Sequence, residues 1–172
     1  MKTSIVLTII ADDHPGIINT VSEVLYKHGG SWTQSSMASL EGQFAGILLA
    51  YVTDSKADIC VRELQELEAK GIRVIAHVSN DVPEKGKTHE YTLDLVGNVR
   101  RGIVHDITTI LTNHDVNVHN LETVVESVPM GGGELFKAKA ILVVPAGVDV
   151  DVLESELEDM ANELMVDICL QK

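Results

Sequence analysis

Two short loops of the sequence combine charged side chains with a glycine just before an apolar stretch of helical spacing. Glycine lets the backbone approach a ligand closely, and the unpaired N–H groups of a helix N-terminus suit a carboxylate such as that of an amino acid. The other interpretation is purely structural, a tight turn into a helix. The loops read Asp12, Asp13, His14, Pro15, Gly16 and Ile17, and Asn98, Val99, Arg100, Arg101, Gly102 and Ile103.

The other reactive side chains form no catalytic or metal-binding pattern. None of the seven histidines has HxxxH spacing and the two cysteines form no CxxC pair, so we expect no metal and no cofactor. The serines of residues 31–39 lack a GxSxG elbow, and the glycines of residues 131–133 lack the Lys-Ser/Thr of a phosphate loop. His28 and His114 end equivalent predicted helices, where a cation favours the helix dipole, so we expect them to act as caps.

An internal repeat places the two loops at equivalent positions. When the sequence is shifted by 86 positions, Gly16 aligns with Gly102 and Leu25 aligns with Leu111. The register then slips by six at residues 129–133, which we interpret as a lengthened hairpin loop because longer loops cost little closure entropy. A repeat of half the chain predicts two homologous domains and not a multi-unit solenoid.

Each half has the same predicted order of elements: strand, helix, strand, strand, helix, strand. This is the order of the ferredoxin-like split βαβ unit, an antiparallel four-stranded sheet with two helices on one face, so the fold class is α+β. We expect a first domain at residues 1–81, a polar linker at residues 82–87 and a second domain at residues 88–172. The predicted helices are 16–28, 57–70, 103–114 and 150–164, and the predicted strands are 3–11, 31–40, 44–53, 72–78, 89–96, 116–128, 136–144 and 166–170.

Several apolar side chains are expected in the cores of these domains. The first strand is rich in Ile and Val and is predicted to be buried on both faces. Helical spacing places Ile59, Leu64 and Leu67 on the inward face of the second helix. Cys60 and Cys169 lie in apolar contexts, so we expect two buried, unpaired thiols. One sheet face of each small domain stays uncovered, which predicts pairing of the two halves and a homo-oligomer.

The chain of 172 residues is acidic, with 26 acidic against 13 basic residues and a formal net charge of −13. Nucleic acids and anionic membranes both require a basic face, so we expect neither as a direct partner. No apolar run approaches the roughly 20 residues of a membrane span. The short apolar run near the N-terminus leads into Asp12 and Asp13 without a small-residue cleavage site, so we expect no signal peptide and a cytoplasmic protein.

The last predicted helix carries acidic residues and no basic residue. Such a run is most often a solvated face that aids solubility. The alternative is a docking surface for a basic partner protein, since charge steers association. The acidic residues of this segment are Asp149, Asp151, Glu154, Glu156, Glu158, Asp159 and Glu163.

A strand, the residues Asp-x-x-Pro-Gly-Ile, a helix and a serine-bearing second strand resemble the ACT domain, a module that typically senses amino acids. Two such modules in a short chain resemble the glycine cleavage system transcriptional repressor family. The second half departs from the pattern, because Asn98 stands in place of the first acid and Arg101 replaces the proline. The strongest matching residues are Asp12, Asp13, Pro15, Gly16, Ile17, Gly29 and Gly30.

The resemblance implies regulation and not catalysis. ACT domains bind effectors at interfaces between modules, with the strand-to-helix loop facing the second strand of a neighbour. Arg100 or Arg101 would then pair with a carboxylate, and Asp12 or Asp13 with an ammonium group. The contact positions that the resemblance implies are Asp12, Asp13, His14, Gly16 and Ile17 in the first half and Asn98, Arg100, Gly102 and Ile103 in the second.

We therefore expect a non-catalytic regulatory protein whose small-molecule effector is an amino acid or a related metabolite, with glycine as the first guess. The resemblance implies that the signal passes to a protein partner such as a DNA-binding regulator. Two alternatives stay open: a regulatory subunit of a metabolic enzyme, and an ACT interaction module that binds no ligand. The lost proline of the second loop favours the last of these.

Overall fold

The structure of the chain, a computed structural model, describes residues 1–79 and 86–172. The chain divides into two compact units, Met1–Pro83 and Glu84–Lys172. Each unit has the element order βαββαβ, which confirms the predicted fold class of two tandem ferredoxin-like domains. Most of the predicted linker, residues 82–87, lies outside the described residues, so its bounds stay a prediction.

The strands and helices follow the predicted positions closely. In the first unit they are β1 (Lys2–Asp12), α1 (Ile17–Lys27), β2 (Ser31–Leu40), β3 (Gln43–Thr53), α2 (Asp54–Gln65) and β4 (Ile72–Ser79), with a 3-10 turn at Glu66–Lys70. In the second unit they are β5 (Thr88–Asn98), α3 (Ile103–Asn113), β6 (Asn117–Ser127), β7 (Glu134–Pro145), α4 (Val150–Leu164) and β8 (Val166–Gln171), with a 3-10 turn at Pro129–Gly131 in the lengthened hairpin loop.

Each unit contains an antiparallel sheet, with the strand orders β2-β3-β1-β4 and β6-β7-β5-β8. The central strand β1 pairs on both sides, with Leu7 opposite Leu48 of β3 and Ala76 of β4. Strands β2 and β6 lie at the edges of their sheets, and both carry a register irregularity at the same repeat position. This order brings the end of β1 next to the β2–β3 hairpin.

Strand β1 is buried on one face only, which corrects the prediction of burial on both faces. Ile5, Leu7 and Ile9 are at most 1% exposed, whereas Ile10 on the opposite face is 42% exposed. The alternation arises because both helices of the unit pack on one face of the antiparallel sheet and leave the other open.

The buried stripe of α2 differs from the predicted one. Leu64 and Leu67 are buried as expected, but Ile59 is 52% exposed and the prediction for it was wrong. The stripe instead runs through Ala57, Cys60 and Leu64, whose spacing of three and four residues defines one helix face.

The two cysteines have different environments and are both free thiols. Cys60 is fully buried, as predicted, and this burial, with the nearby carboxylate of Glu63, raises the pKa of its thiol. Cys169 is exposed, so the prediction of two buried thiols was wrong for it. Side chains along β8 alternate between the two faces of the sheet, and that of Cys169 lies on the face away from the helices. Its Sγ accepts a hydrogen bond from Gln171 at 3.4 Å.

Along the third strand of each unit, a buried leucine and a buried alanine occur in opposite order. In β3, Leu48 and Ala50 are fully buried on the helix-covered face. In β7, Ala140 and Leu142 occupy the equivalent repeat positions and are 3% and 0% exposed. The exchange conserves total volume, which is the kind of change that cores tolerate best. No helix within the described residues is long and apolar enough to span a membrane.

Candidate functional site

Gly16 and Gly102 form the N-caps of α1 and α3 and adopt left-handed conformations, with φ of 99° and 92°. A side chain at such a position costs roughly 1–2 kcal/mol. The backbone N–H of Thr20 donates to the Gly16 carbonyl at 2.9 Å, and that of Asp106 donates to the Gly102 carbonyl at 2.8 Å. No described side chain makes a capping hydrogen bond at either helix start. The other N–H groups of these first turns therefore suit an anion.

In the first loop, the β2–β3 hairpin holds both acidic side chains. Gln43 donates from Nε2 to Asp12 Oδ1 at 2.6 Å, and Ser39 donates from Oγ to Asp13 Oδ2 at 2.6 Å. The backbone N–H of Asp13 also donates to the Gly42 carbonyl at 2.8 Å. One oxygen of each carboxylate is thus engaged in stabilising the loop.

The other predicted positions divide between surface and core. The His14 ring is exposed, with Nδ1 3.0 Å from the carbonyl oxygen of Pro15. Asn98 is exposed at the end of β5, opposite Leu135 of β7 in the sheet register, and so borders the second loop. Ile17 and Ile103 are each 3% exposed within the cores of their units and position the helices by packing.

In the second loop, the two arginines have different surroundings. Arg100 donates from Nη1 to the carbonyl of Leu164 at 3.4 Å, at the C-terminus of α4, where a cation is favoured by the helix dipole. Arg101 is exposed, and no described residue forms an ion pair with it. Arg100 thus directs one of its donors to the end of α4, whereas Arg101 has no described ion-pair partner.

Asp106 adds a carboxylate to the second loop that the sequence analysis did not include. Its Oδ2 atom lies 3.5 Å from where a Cβ at Gly102 would be, so the carboxylate is beside the start of α3. Arg101 precedes the same glycine in the chain. A cation and an anion thus accompany one helix N-terminus, an arrangement that suits the opposite charges of a free amino acid.

An apolar cleft of about 20 Å³ lies between α3 and the strands β5, β6 and β7, and its lining begins at Val104, two residues after Gly102. Val104 and Leu121 at its edge are 40% and 45% exposed, so the cleft lies close to solvent. A water molecule needs roughly 10–15 Å³ of such volume, so the cleft has room for one or two chemical groups of about that size. The lining residues are Leu93, Val104, Ile107, Thr108, Leu111, Val118, Leu121, Phe136, Ala138 and Ala140.

Two residues that line this cleft align with larger residues of the first unit. The repeat aligns Ala140 with Leu48 and Val118 with Trp32. The first unit thus has more side-chain volume at these two positions, and only comparison of the two repeats could have indicated this from the sequence.

Each unit contains a histidine–glutamate pair between its two helices, and the two histidines are at equivalent repeat positions. His28 Nε2 lies 2.6 Å from Glu63 Oε2, and His114 Nε2 lies 2.9 Å from Glu156 Oε2. Both histidines occupy C-cap positions, as predicted, but their side chains reach the neighbouring helix. Within residues 1–79 and 86–172, no group of three His, Cys, Asp or Glu residues is placed to hold a metal ion.

The contacts of Glu63 with Lys27 and His28 make the stability of the folded protein depend on pH. Hydrogen bonds from Lys27 and His28 hold the pKa of the Glu63 carboxyl below its ordinary value. The stabilisation is therefore present above the ordinary glutamate pKa, about 4.3, and is lost as the pH falls through the lower pKa of the folded state. We expect Glu63→Gln to lower the melting temperature at pH 6, and the difference from the wild type to shrink below about pH 4.

Melting curves between pH 3 and pH 7 measure this effect. Glu66→Gln is the matched control, because Glu66 is exposed on the adjoining 3-10 turn and no described residue forms an ion pair with it. The control should follow the wild-type profile. Equal effects of the two substitutions at pH 6 would contradict the assigned role of Glu63.

Two antiparallel βαββαβ units with glycine-capped loops define a protein made of two ferredoxin-like modules. The sequence profile of the ACT domain matches residues 3–95, more than half of the chain. The chain therefore belongs to the ACT domain family of regulatory modules, which confirms the resemblance inferred from the loop residues. No curated protein matches the chain significantly.

Two solved structures extend the comparison to the whole chain. An unknown protein from Galdieria sulphuraria is 26% identical, with a TM-score of 0.88 over 99% of this chain and 98% of that one. A protein provisionally assigned as a glycine cleavage system transcriptional repressor is 18% identical, with a TM-score of 0.66 over 99% of this chain and 97% of that one. At that identity the second likeness shows the fold alone.

Proposed function

We propose that the chain is a regulatory protein that senses a small amino acid, glycine or one of similar size, through its second unit. The observation that carries this proposal is the apolar cleft along α3, which begins at Val104 and is lined by Ala140 where the first unit has the larger Leu48. Space for only one or two small groups favours a minimal side chain. The family membership of the chain supports a sensory role.

In the proposed complex, the effector carboxylate accepts hydrogen bonds from the N–H groups of the first turn of α3 and pairs with Arg101. Its ammonium group faces the carboxylate of Asp106. Gly102 has no side chain that would collide with the ligand. Its positive φ independently favours glycine at this position. The first loop is the less suitable site, because the hairpin already engages both of its carboxylates.

The signal passes to a partner protein, for which we propose a DNA-binding regulator of glycine cleavage. The whole-chain likeness in fold to a protein provisionally assigned as a repressor of that system supports this choice. The net charge of −13 agrees with an indirect role, because phosphate contacts require basic residues. The effector must stabilise one conformation of the chain more than another in order to change partner binding.

A thermal-shift screen of the intact chain against the twenty amino acids tests the proposal. A ligand at 100 times its dissociation constant stabilises by about 2.7 kcal/mol, which raises the melting temperature by several degrees. We expect this shift with glycine, alanine or serine and not with large side chains. A shift with none of the twenty would contradict the proposal and favour an interaction module without a ligand.

Two glycine variants locate the site within the chain. Gly102→Val and Gly16→Val are matched in backbone strain, because both positions have φ near +95°, and each should cost roughly 1–2 kcal/mol. Only Gly102→Val should remove the ligand-induced shift, since its side chain enters the proposed site. Loss of the shift in Gly16→Val alone would place the effector in the first unit instead.

A further inference from the structure

A second cleft, of about 350 Å³, lies in the first unit between the end of α1 and the start of β2. Two aromatic side chains line it from different elements. Tyr26 projects from α1 and is 86% exposed, and Trp32 lies half-buried on the edge strand β2. The indole N–H of Trp32 donates to Ser35 Oγ at 3.2 Å, which satisfies its polar atom. The Tyr26 ring and the part of the Trp32 ring that does not pack against the core thus remain to contact a ligand.

A carboxylate shares this cleft with the two rings. Glu23 lines it, and its described partner is the amide of Asn19, 3.4 Å away. Glu23 also lines a neighbouring cleft with Lys27 and Lys70, and Lys27 Nζ lies 2.7 Å from Glu63 Oε1. No described cation forms an ion pair with Glu23 itself.

The fold itself does not require these three residues. At the equivalent repeat positions, the second unit has Thr109, Thr112 and Val118. Both units nevertheless form the same helix and edge strand. The aromatic and acidic side chains that line the cleft thus occur in the first unit only. Trp32 also packs against the core, whereas Tyr26 is exposed and is not part of it.

We infer that this cleft binds a small organic cation of the methylated ammonium class. Aromatic faces attract such cations through their negative quadrupole, and the attraction is about 0.5–1 kcal/mol for each exposed contact. The Glu23 carboxylate supplies the formal counter-charge. Methyl groups lower the hydration of the ammonium group and pack against the rings, so a methylated cation fits the apolar part of the lining better than a bare one. The site is separate from the proposed effector loop.

Intrinsic fluorescence provides a direct readout, because Trp32 is the only tryptophan of the chain. The probe is tetramethylammonium chloride, titrated into the intact protein at constant ionic strength with sodium chloride as the balancing salt. We expect a saturable change in Trp32 emission. Tyr26→Ala and Glu23→Gln should each weaken the apparent affinity about two- to five-fold. Thr112→Ala, at the position equivalent to Tyr26, should leave it unchanged.

A neutral analogue separates cation binding from simple apolar binding. The alcohol 3,3-dimethyl-1-butanol has the shape of a trimethylammonium compound without its charge and should bind at least several-fold more weakly than choline. Equal affinity for the two compounds, or an emission change that does not saturate, would overturn the inference. It would also be overturned if light scattering showed that Tyr26→Ala dissociates an oligomer, because the cleft would then be a surface covered by a second copy.

Discussion

Leu48→Ala is expected to lower the free energy of unfolding of the first unit by about 2–5 kcal/mol. Leu48 is fully buried on the helix-covered face of the sheet, opposite Leu7 of β1. Removing three carbons there loses transfer free energy and leaves a cavity that the packed sheet cannot close. Trp32 lies in the same unit, so its fluorescence during urea denaturation measures the loss.

The repeat provides an unusual control for this change. Because the second unit places Ala140 and Leu142 at the equivalent positions, the double variant Leu48→Ala with Ala50→Leu should recover most of the lost stability. Ile47→Ala, on the open face and 53% exposed, should cost far less than Leu48→Ala. A double variant less stable than Leu48→Ala alone would show that the two cores are not equivalent in packing.

Ala140→Leu is expected to abolish effector binding while leaving the fold intact. Ala140 lines the cleft of about 20 Å³, and the equivalent position of the first unit is Leu48, so the same fold accommodates a leucine there. The three added carbons take up the space of one or two small groups that the cleft offers. The measurement is the ligand-induced shift in melting temperature, which should fall from several degrees to none.

The control for Ala140→Leu is Val124→Leu. Val124 lies on the neighbouring strand β6, three residues from the lining residue Leu121, so its side chain lies on the opposite face of the sheet, and it is 49% exposed. A leucine at this position should leave the ligand-induced shift unchanged. If Ala140→Leu keeps the full shift, the cleft is not part of the effector site.

Local sequence signals were sufficient for most of the fold. The strand at Ser31–Leu40 and the helix at Val150–Leu164 have the predicted bounds, because turn residues and helical spacing mark their ends. The side chain of Asp149 accepts from the N–H groups of Asp151 and Val152 at 3.1 and 3.3 Å, so a local cap fixes the start of this helix. Such signals act within a few residues and can be read without knowledge of the fold.

Features that depend on tertiary contacts could not be predicted in this way. Either Arg100 or Arg101 was expected to pair with a carboxylate, and the contact of Arg100 with the end of α4, which distinguishes the two, appears only when β5 and β8 are paired. The histidine–glutamate pairs join residues that are 35 and 42 positions apart. The exposure of Ile59 depends on how α2 is rotated against the sheet, which spacing alone left open. The sequence therefore predicted the two loops of the candidate site, but not the different tertiary contacts that each loop makes.

The measurement that tests the central claim most directly is a calorimetric titration of glycine, alanine and serine into the intact wild-type chain. The proposed site in the second unit predicts saturable heat for at least one of the three, with one molecule bound per chain. Two molecules per chain would contradict the assignment to a single unit. The absence of heat for all three, at concentrations that detect millimolar affinity, would contradict the proposal that this chain senses a small amino acid.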